Sequence, residues 1–527
     1  MARLIHELSA KHAALTPDAL ALCEGERRIT YAQLDTEIGR AAAMFSAQGL
    51  TRHERVAVWL DKRAETVFAL FGAARAGGVF VPVNPLLKPE QVEHILTDCN
   101  VRVLVTTPER LSLLSEVLPR CHDLRTIVVV GTSPVPGIDA RGASLLVWAD
   151  RPTEPFTASG AIDADMAAIL YTSGSTGRPK GVVLSHRNLV AGAASVSEYL
   201  ENTPEDRILS VLPLSFDYGL NQLTTAFYVG ACAVLMNYLL PRDVIRAVAR
   251  ERITGLAAVP PLWVQLAQLE WPESVREHLR YFTNSGGHMP ATVLAGLRSN
   301  LPGAKPVLMY GLTEAFRSIY LPPAEVDQRP DSMGRAIPNA EILVVREDGG
   351  VCEPGEPGEL VHRGVHVAMG YWNDPARTAE RFRPAPGQPE GLPMPEMAVW
   401  SGDTVKKDEA GFLYFVGRRD EMIKTSGYRV SPAEVEEVAY SAEAANELAA
   451  IGVSHPVLGQ AVVLIAYSEE DAAAVTNKIL DVCRQRLPAF MVPAQVLVRS
   501  EALPRNPNGK IDRKRLGVES GDLFGAS

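Results

Sequence analysis

A short polar loop between two apolar segments is the part of this sequence best equipped for chemistry. Residues 172–181 combine hydroxyl side chains and glycines with one lysine, Lys180. Glycines let backbone N–H groups approach an anion closely, and hydroxyls and an ammonium add donors and positive charge. The loop is therefore predicted to hold phosphates. A Ser/Gly-rich surface turn is the plain alternative, but a flexible linker would not carry Pro-Lys-Gly between two apolar strands.

This loop does not match the P-loop of NTPases. In that motif the lysine directly follows a glycine and precedes a Ser or Thr that holds Mg²⁺. Lys180 instead follows Pro179 and precedes Gly181. The sequence therefore predicts a phosphate site of another kind.

Three further motifs carry groups that a nucleotide reaction would use. Residues 310–314 read Tyr-Gly-Leu-Thr-Glu, and Glu314 could hold Mg²⁺, which prefers carboxylate and phosphate oxygens. Asp403 could accept hydrogen bonds from two ribose hydroxyls. A tight Asn-Gly turn presents Lys510 at its tip. The plain alternatives are a solvated glutamate, an ordinary turn and a solvated lysine.

Asp217 is the first candidate on the substrate side, because it lies between Phe216 and Tyr218. A carboxylate on the edge of an apolar pocket needs a cationic partner, since burying an unpaired charge is costly. A substrate amine is one candidate for that partner. The alternative is that Asp217 caps a helix or stays exposed.

Alternating helical and strand patterns must position these residues. Residues 32–48 and 65–76 are predicted to be helices, and residues 56–60 a strand between them. Such alternation, continued through the first 165 residues, predicts a parallel sheet flanked by helices.

Helix-capping signals mark two later boundaries. Ser185 is expected to cap a helix that begins near His186. Ser431 and Glu434 form a capping-box pattern with a proline at the first helical position. Short strands and helices follow, which predicts a small α+β unit near the end of the chain.

Composition narrows the class of protein. A chain of 527 residues is too long for one core, and 46% hydrophobic with 22% charged residues is ordinary for a globular protein. The net charge of −10 argues against general nucleic-acid binding. Six scattered cysteines without a C-x-x-C favour free thiols in a reducing cytoplasm, and no uncharged run approaches the length of a membrane span.

Taken in order, these motifs resemble the signatures of the adenylate-forming superfamily, which includes acyl-CoA synthetases, luciferases and the adenylation domains of nonribosomal peptide synthetases. The resemblance extends from Tyr31 to Lys514. It implies an α/β fold with a large N-terminal domain of helix-flanked sheets and a barrel-like β subdomain, residues 1–418. A small, mobile α+β lid, residues 419–527, would complete the fold.

The resemblance implies ATP and Mg²⁺ as cofactors and assigns roles to residues of this chain. Catalytic roles would fall to Lys510, Glu314, Thr313 and Lys180, with Glu314 on the metal. ATP would be bound by Thr172, Ser173, Gly174, Ser175, Thr176, Gly177, Lys180, Gly286, Gly287, His288, Tyr310, Gly311, Asp403 and Arg418. Asp420 would be the hinge of the lid, and Gly427 would line the access tunnel of a thiol.

The resemblance also implies an acid-binding pocket. Its residues would be Phe216, Asp217, Tyr218, Asn221, Asn284, Met309, Arg317 and Ser318. In amino-acid-activating relatives the aspartate of Phe-Asp pairs with the substrate ammonium. Arg317 falls on the pocket wall, where it could bind a second carboxylate of the substrate or could pair with Asp217.

The implied function is ATP-dependent, AMP-forming ligation of a carboxylic acid to a thiol. Asp217 and Arg317 favour an amino acid, loaded onto the phosphopantetheine of a separate carrier protein. The run Tyr218-Gly219-Leu220 favours the alternative, an acyl-CoA ligase for a non-amino acid. A catalytically silent relative would be expected to lack Lys180, Glu314 or Lys510, and all three are present.

Overall fold

The structure is a computed structural model, which describes residues 2–131, 142–154, 156, 159–172, 179–287, 289–389, 391–418, 422–505 and 511–525. Up to residue 172 its elements are α1 (Glu7–Leu15), β1 (Leu20–Glu24), β2 (Arg27–Thr30), α2 (Tyr31–Ala47), β3 (Arg55–Trp59), α3 (Ala64–Arg75), β4 (Val79–Pro82), α4 (Pro89–Asp98), β5 (Val101–Thr106), α5 (Pro108–Leu113), β6 (Thr126–Val129), β7 (Ser144–Val147) and β8 (Met166–Thr172).

The middle of the chain continues the alternation. Its elements are β9 (Lys180–Ser185), α6 (His186–Tyr199), β10 (Arg207–Ser210), α7 (Asp217–Val229), β11 (Cys232–Leu235), α8 (Pro241–Arg250), β12 (Gly255–Ala258), α9 (Pro260–Ala267), α10 (Glu273–His278), β13 (Tyr281–Asn284), α11 (Ala291–Asn300), β14 (Lys305–Tyr310), β15 (Ile319–Leu321) and β16 (Arg335–Ala336).

Strands dominate the next segment, and the last segment is mixed. The elements are β17 (Ala340–Val345), β18 (Gly358–Gly364), β19 (Gly370–Tyr371), α12 (Pro375–Arg381), β20 (Phe382–Pro384), β21 (Met397–Lys407), β22 (Leu413–Arg418), β23 (Ile423–Thr425), β24 (Tyr428–Val430), α13 (Pro432–Tyr440), β25 (Glu447–His455), β26 (Gly459–Tyr467), α14 (Ala472–Arg486), β27 (Gln495–Arg499) and α15 (Arg513–Glu519).

Two large sheets form the body of the protein. The first has the order β16-β15-β14-β13-β12-β10-β11-β1-β2, and the second has the order β19-β9-β8-β4-β3-β5-β6-β7. Their central strands pair in parallel. Helices α2, α3, α6 and α7 share one apolar core with strands of both sheets, including Phe45, Phe71 and Phe227. This helix layer holds the sheets together, as parallel sheets require cover on their faces.

The parallel strands of the first sheet bring the predicted site residues to one edge. Ser215, Phe216 and Asp217 follow β10, Gly286 follows β13 and Thr313 follows β14. Because β10, β12, β13 and β14 are parallel, their carboxyl ends meet at the same edge. Ligands bind at this edge in open α/β sheets.

Two smaller sheets complete the predicted fold class, which the structure confirms. The third sheet is antiparallel, with the order β17-β18-β21-β20 and β22 paired to β21. The fourth sheet, in the small C-terminal region, has the order β24-β23-β26-β25 with β27 parallel to β26. Among the described residues, no helix combines the length and the apolar character that a membrane crossing requires.

Local signals predicted element boundaries to within about a residue. The helix expected at 32–48 is α2, and Thr30 caps it by accepting a hydrogen bond from the backbone of Gln33. Ser185 caps α6 as expected, and its hydroxyl accepts from the backbone of Asn188. Side-chain caps fix these starts because they satisfy N–H groups that the helix leaves unpaired.

Candidate active site

The predicted phosphate loop connects the ends of a β-hairpin. Strands β8 and β9 pair antiparallel, and Thr172 lies opposite Lys180 at the end of the pair that the loop joins. Ser173, Gly174, Ser175, Thr176 and Gly177 lie outside the described residues. Thr172 lines a cavity that Asp217, Tyr310 and Asp403 also line, and its buried hydroxyl has no hydrogen-bond partner within the described ranges. The hairpin therefore delivers Thr172 and Lys180 together to one place.

Lys180, Glu314 and Tyr371 form a buried cluster beside this cavity. Lys180 Nζ donates to the Tyr371 hydroxyl at 2.6 Å, and that hydroxyl donates to Glu314 Oε1 at 2.7 Å. Lys180 Nζ also lies 3.3 Å from Glu314 Oε1 and 3.9 Å from the centre of the Tyr371 ring. Pro179 and Thr313, the chain neighbours of Lys180 and Glu314, line the cavity itself.

Positive charge dominates the electrostatics of this cluster. Burial alone would raise the pKa of Glu314, but Lys180, Arg429 and Arg381 outweigh it and hold that pKa well below its usual range. Burial lowers the pKa of Lys180 to about 8, with Glu314 opposing the shift. Glu314 is therefore ionised at neutral pH, and its negative charge is stabilised by three cations, Lys180, Arg381 and Arg429.

Glu314 fits the role of a magnesium ligand. Its Oε2 is buried and has no hydrogen-bond partner in the described part of the chain. The described residues contain no group of three or more His, Cys, Asp or Glu that could hold a metal on its own. A single carboxylate is nevertheless the usual protein contribution where Mg²⁺ also binds substrate phosphates and water.

The predicted ribose site is built from Asp403 and Tyr310. The Tyr310 hydroxyl donates to Asp403 Oδ2, and both residues line the cavity. Asp403 is buried, and its backbone N–H donates to Ser401 Oγ at 3.1 Å. Arg418, in β22, lies opposite Asp403 in the strand register. This cross-strand pairing brings two predicted nucleotide residues into adjacent positions.

The predicted acid wall contains a second buried ion pair. Arg317 Nη1 donates to Asp217 Oδ2 at 3.0 Å and to the carbonyl oxygen of Phe316 at 3.2 Å. The guanidinium lies over the Tyr218 ring, 4.6 Å from its centre. Arg317 is 2% exposed, and both members of the pair line the cavity. Burial raises the pKa of Asp217, although Arg317 favours its ionised form.

Backbone geometry aims Arg317 inward. Phe316 has φ 56° and ψ −55°, and the N–H of Arg317 donates to the Ala315 carbonyl at 2.6 Å, which defines a γ-turn centred on Phe316. Positive φ in a buried aromatic residue costs on the order of 1–3 kcal/mol and persists only where packing enforces it. The Phe316 ring packs on Gly192, where an added Cβ would lie 2.2 Å from it.

The start of α7 positions Asp217 through a close backbone approach. A Cβ at Gly219 would lie 1.9 Å from the carbonyl oxygen of Pro213. Only glycine lets the first turn of α7 press against the preceding loop in this way. Tyr218 is fixed from its other end, because its hydroxyl is 2.5 Å from Thr283 Oγ1.

The small C-terminal region closes over this cavity. The turn at Gly427 lies against Val259, because a Cβ at Gly427 would be 2.8 Å from Val259 Cγ1, and its φ of 80° also requires glycine. Tyr428 contacts Phe216 edge to face at 4.8 Å and stacks on Phe490 at 3.7 Å. Gly427 and Tyr428 both line the cavity, next to the predicted acid wall.

Lys510 and Asp420 lie outside the described residues, but the flanks of Lys510 are described. Arg505 and Ile511 form a β-bridge, and Ile511 packs with Leu503 and Leu516. That cluster covers the face of β25 and β26 that carries Ala449, Ile451 and Val453. The opposite face packs with α13 and α14 and with the cavity residues Tyr428, Phe490 and Met491. The described flanks of Lys510 therefore lie on the face of the small sheet away from the cavity.

Comparison with known proteins identifies the family of this chain. Residues 9–372 match the family described as AMP-binding enzyme, and residues 434–510 match its C-terminal domain. The chain belongs to the AMP-binding enzymes. It is thus a member of the AMP-forming ligase superfamily, whose adenylate-forming enzymes use ATP.

Relatives of this AMP-binding enzyme include both peptide synthetases and CoA ligases. Tyrocidine synthase 3 of Brevibacillus parabrevis is 28% identical over 98% of this chain, which spans only 8% of that protein. Indoleacetate–CoA ligase of Aromatoleum aromaticum is 29% identical, over 95% of each chain. The o-succinylbenzoate CoA synthetase of Bacillus subtilis, solved with a product analogue, is 28% identical, with a TM-score of 0.82 over 97% of this chain and 98% of that one.

The structure of this AMP-binding enzyme brings most of the described site residues that were predicted to one cavity. The described predictions that line it are Thr172, Phe216, Asp217, Tyr218, Gly286, Tyr310, Gly311, Thr313, Arg317, Asp403 and Gly427. Lys180 and Glu314 lie beside it as described above. His288 lies outside the described residues.

Five described residues that were predicted to belong to the site are not among the residues that line the cavity. Asn284 Nδ2 donates to the Gly287 carbonyl, Met309 Sδ accepts from the Tyr199 hydroxyl, and Ser318 Oγ is 2.9 Å from His362 Nδ1. Asn221 Nδ2 lies 3.4 Å from Thr224 Oγ1. Contact of Asn221, Asn284, Met309, Ser318 and Gly287 with a ligand therefore stays a prediction.

Four residues at or beside the cavity of this AMP-binding enzyme carried no predicted catalytic or ligand-binding role. Tyr371 is the link between Lys180 and Glu314, and Arg381, Arg429 and Glu434 line the cavity. Burial raises the pKa of Glu434 to about 8, so its carboxyl is protonated at neutral pH. Glu434 was predicted from its capping pattern, and its backbone N–H does donate to Ser431 Oγ. A local pattern could not reveal that its side chain also reaches the cavity.

Proposed function

We propose that this AMP-forming ligase activates an amino acid as its acyl-adenylate and transfers it to the phosphopantetheine thiol of a separate carrier protein. The observation that carries the proposal is the Asp217 carboxylate, which is mostly buried on the cavity wall. Burial raises the pKa of this carboxyl despite Arg317, so a substrate ammonium beside it would stabilise its ionised form. The sequence similarity to peptide synthetases over nearly the whole chain supports the same substrate class.

The first half-reaction would join two anions. An oxygen of the substrate carboxylate attacks the α-phosphorus of ATP, the bond from that phosphorus to the bridging oxygen breaks, and pyrophosphate leaves. Lys180 and Thr313 would contact the phosphates, and the ribose would bind Asp403. Mg²⁺, held by Glu314, would neutralise phosphate charge. Binding of the nucleotide would draw Lys180 away from Glu314 and towards phosphate oxygens.

Lys510 would complete the charge balance of this step after movement of the lid. We propose domains at residues 1–418 and 419–527, with Asp420 as the hinge. Rotation about the hinge would exchange the Gly427 turn at the cavity for the Lys510 loop. The arrangement described here, with Gly427 at the cavity, suits the second half-reaction, in which the thiol sulfur attacks the acyl carbon and AMP leaves.

An acyl-CoA ligase for a non-amino acid is the second candidate. Asp217 already pairs with Arg317, so its charge does not by itself demand a substrate amine. The indoleacetate–CoA ligase also matches this chain over nearly its full length. In this candidate CoA would replace the carrier protein as the acceptor.

Substrate-dependent exchange of labelled pyrophosphate into ATP separates these candidates. The panel contains amino acids, dicarboxylates, aryl acids and fatty acids. The proposal predicts exchange with amino acids, whereas exchange with aryl or fatty acids alone would contradict it. The acceptor is then identified by intact mass, by offering the activated acid to CoA and to a phosphopantetheinylated carrier protein in parallel.

A silent nucleotide-binding relative is the remaining alternative. It would bind ATP but would exchange no pyrophosphate with any acid of the panel. Lys510→Ala provides the internal check on the active case, because loss of one preorganised cation is expected to slow adenylation about 10²–10³-fold. Unchanged exchange in Lys510→Ala would show that the lysine has been misassigned.

A further inference from the structure

The Arg317 guanidinium uses only part of its hydrogen-bonding capacity. Nη1 donates to Asp217 and to the Phe316 carbonyl, whereas Nε and Nη2 are buried without a hydrogen-bond partner among the described residues. Buried donors of a charged group are almost always satisfied, because each unmade bond costs free energy. Arg317 lines the cavity, so a bound ligand is the natural source of the missing acceptors.

The two unused donors have a specific geometry. Nε and Nη2 form one edge of the planar guanidinium, with parallel N–H bonds that match the two oxygens of a carboxylate. A single carbonyl or hydroxyl oxygen would satisfy only one of them. The unused edge therefore favours an anionic group with two equivalent oxygens over a neutral acceptor.

The guanidinium is also held rigidly enough to serve as a fixed binding group. The Tyr218 ring lies 4.6 Å below it, and the γ-turn at Phe316 fixes the backbone from which it extends. Binding at a preordered arginine loses less side-chain entropy than binding at a free one.

Charge balance selects among the acids that could use this edge. Asp217 and Arg317 together carry no net charge. If the substrate added only a second carboxylate, the net charge of Asp217, Arg317 and the substrate group would be −1. If it added only an ammonium, that net charge would be +1. An acid that brings both an ammonium and a second anion keeps the total at zero, and buried charges are tolerated only when they are paired.

We propose that the activated acid is an amino dicarboxylate or a close acidic analogue, with its ammonium on Asp217 and its second anionic group on the Nε/Nη2 edge of Arg317. The inference rests on the proposed function, and it adds the second anion as the feature that the pocket selects. Arg317 would thus pair with Asp217 and bind the substrate at the same time.

Pyrophosphate exchange with matched acids tests the proposal on the unmodified protein. The probes are L-aspartate and L-glutamate, compared with L-2-aminobutyrate and L-norvaline, which lack the second carboxylate, with L-asparagine and L-glutamine, which replace it by an amide, and with succinate and glutarate, which lack the ammonium. We expect kcat/KM for one of the two amino dicarboxylates to exceed that of each matched analogue by at least about 10²-fold, because unpaired buried groups penalise the analogues.

The outcomes separate this inference from the function on which it rests. If neutral amino acids or the amides exchange best, the second-anion inference fails and amino-acid activation stands. If aryl or fatty acids alone drive exchange, the proposed function fails as well. A preference for succinate or glutarate would overturn the ammonium assignment.

Variants at Arg317 locate the preference within the pocket. Arg317→Lys keeps the charge but removes the two-donor edge, and it should lose the preference for the dicarboxylate while keeping the KM for ATP. Arg317→Gln also removes the positive charge, so it should reduce kcat/KM for the dicarboxylate further than Arg317→Lys does. Thermal melting with and without ATP controls for folding, and if both variants fail to fold the wild-type panel decides alone. A dicarboxylate preference that survives in Arg317→Lys would contradict the bidentate contact.

Discussion

Two buried ion pairs lie at the same cavity, and their carboxylates are perturbed in opposite directions. Glu314 is surrounded by Lys180, Arg381 and Arg429, and its pKa is held well below the usual range. Asp217 has Arg317 as its main cationic partner, and burial raises its pKa. Both carboxylates are desolvated, so the difference comes from the number of cations around each.

This difference separates the two tasks of the site. A surplus of positive charge suits the polyphosphate of ATP, which takes part in the reaction whichever acid is activated. A balanced pair suits a wall that discriminates between acids, because a buried net charge admits only a ligand of the opposite sign. Changes at the first pair should therefore affect all acids equally, and changes at the second should affect acids selectively.

The strongest test of this comparison is Glu314→Gln. Loss of this carboxylate should reduce adenylation about 10²–10³-fold, since the residue lies where transition-state charge is balanced. The reduction should be the same for the best acid and for a weaker one, measured by pyrophosphate exchange at saturating ATP. Glu341→Gln, at an exposed surface pair with Arg363, is the matched control. A loss confined to one acid would remove the distinction between the two pairs.

Asp217→Asn should have a smaller and selective effect. The amide keeps the shape of the side chain but loses a charge-assisted contact, and kcat/KM for the amino acid should fall about 10- to 100-fold. The KM for ATP should stay unchanged in the same assay. Asp327→Asn, on the surface beside Arg298, is the matched control. Equal losses in the kinetic constants for ATP and for the acid would argue that Asp217 supports the fold rather than the substrate.

The pH dependence of ATP use should report on Lys180. Its pKa of about 8 means that the ammonium is present at pH 7 and is lost as the pH rises through 8. The value of kcat/KM for ATP should then fall about tenfold between pH 7 and pH 9, because this constant follows the free enzyme. The Lys180→Arg variant should have a lower kcat/KM for ATP, but this constant should not fall between pH 7 and pH 9. An alkaline fall that persists in Lys180→Arg would assign it to another group.

The smallest effect is expected from Tyr371→Phe. The ring would remain below Lys180, and only the hydroxyl that joins Lys180 to Glu314 would be lost. Loss of one neutral donor should slow adenylation about 2- to 10-fold, equally for all acids. Tyr414→Phe, whose hydroxyl contacts Asp408 away from the cavity, controls for the loss of a hydroxyl. A loss as large as that of Glu314→Gln would make the hydroxyl an equal partner in the cluster.

Local chemistry made much of this site predictable from sequence. Ser185 capped its helix as expected, and the apolar segments around the polar loop paired so that Thr172 faces Lys180. The first two features depend on capping groups and on strand and helix periods, which short stretches of sequence encode. The parallel pairing of β10, β12, β13 and β14, which was not predicted from the sequence, brought Asp217 and Thr313 to one sheet edge.

Long-range contacts were not predictable in the same way. Tyr371 reaches Lys180 because the two-residue strand β19 pairs with β9, and so short a strand has no recognisable period. For Arg317, two partners were compatible with its chemistry, and the sequence left both open. The position of the small C-terminal region depends on contacts such as that of Arg486 with Glu90, which join residues distant in sequence and leave no local signal.

The γ-turn at Phe316 has a consequence for how such a pocket can change. The turn, and not the arginine, sets the direction in which residue 317 points, because Phe316 is locked by its packing on Gly192. Any side chain placed at residue 317 would therefore point in the same inward direction, and the rest of the pocket wall would not have to change. A single substitution at residue 317 would therefore change which acid the pocket accepts, while the backbone that orients the side chain stays the same.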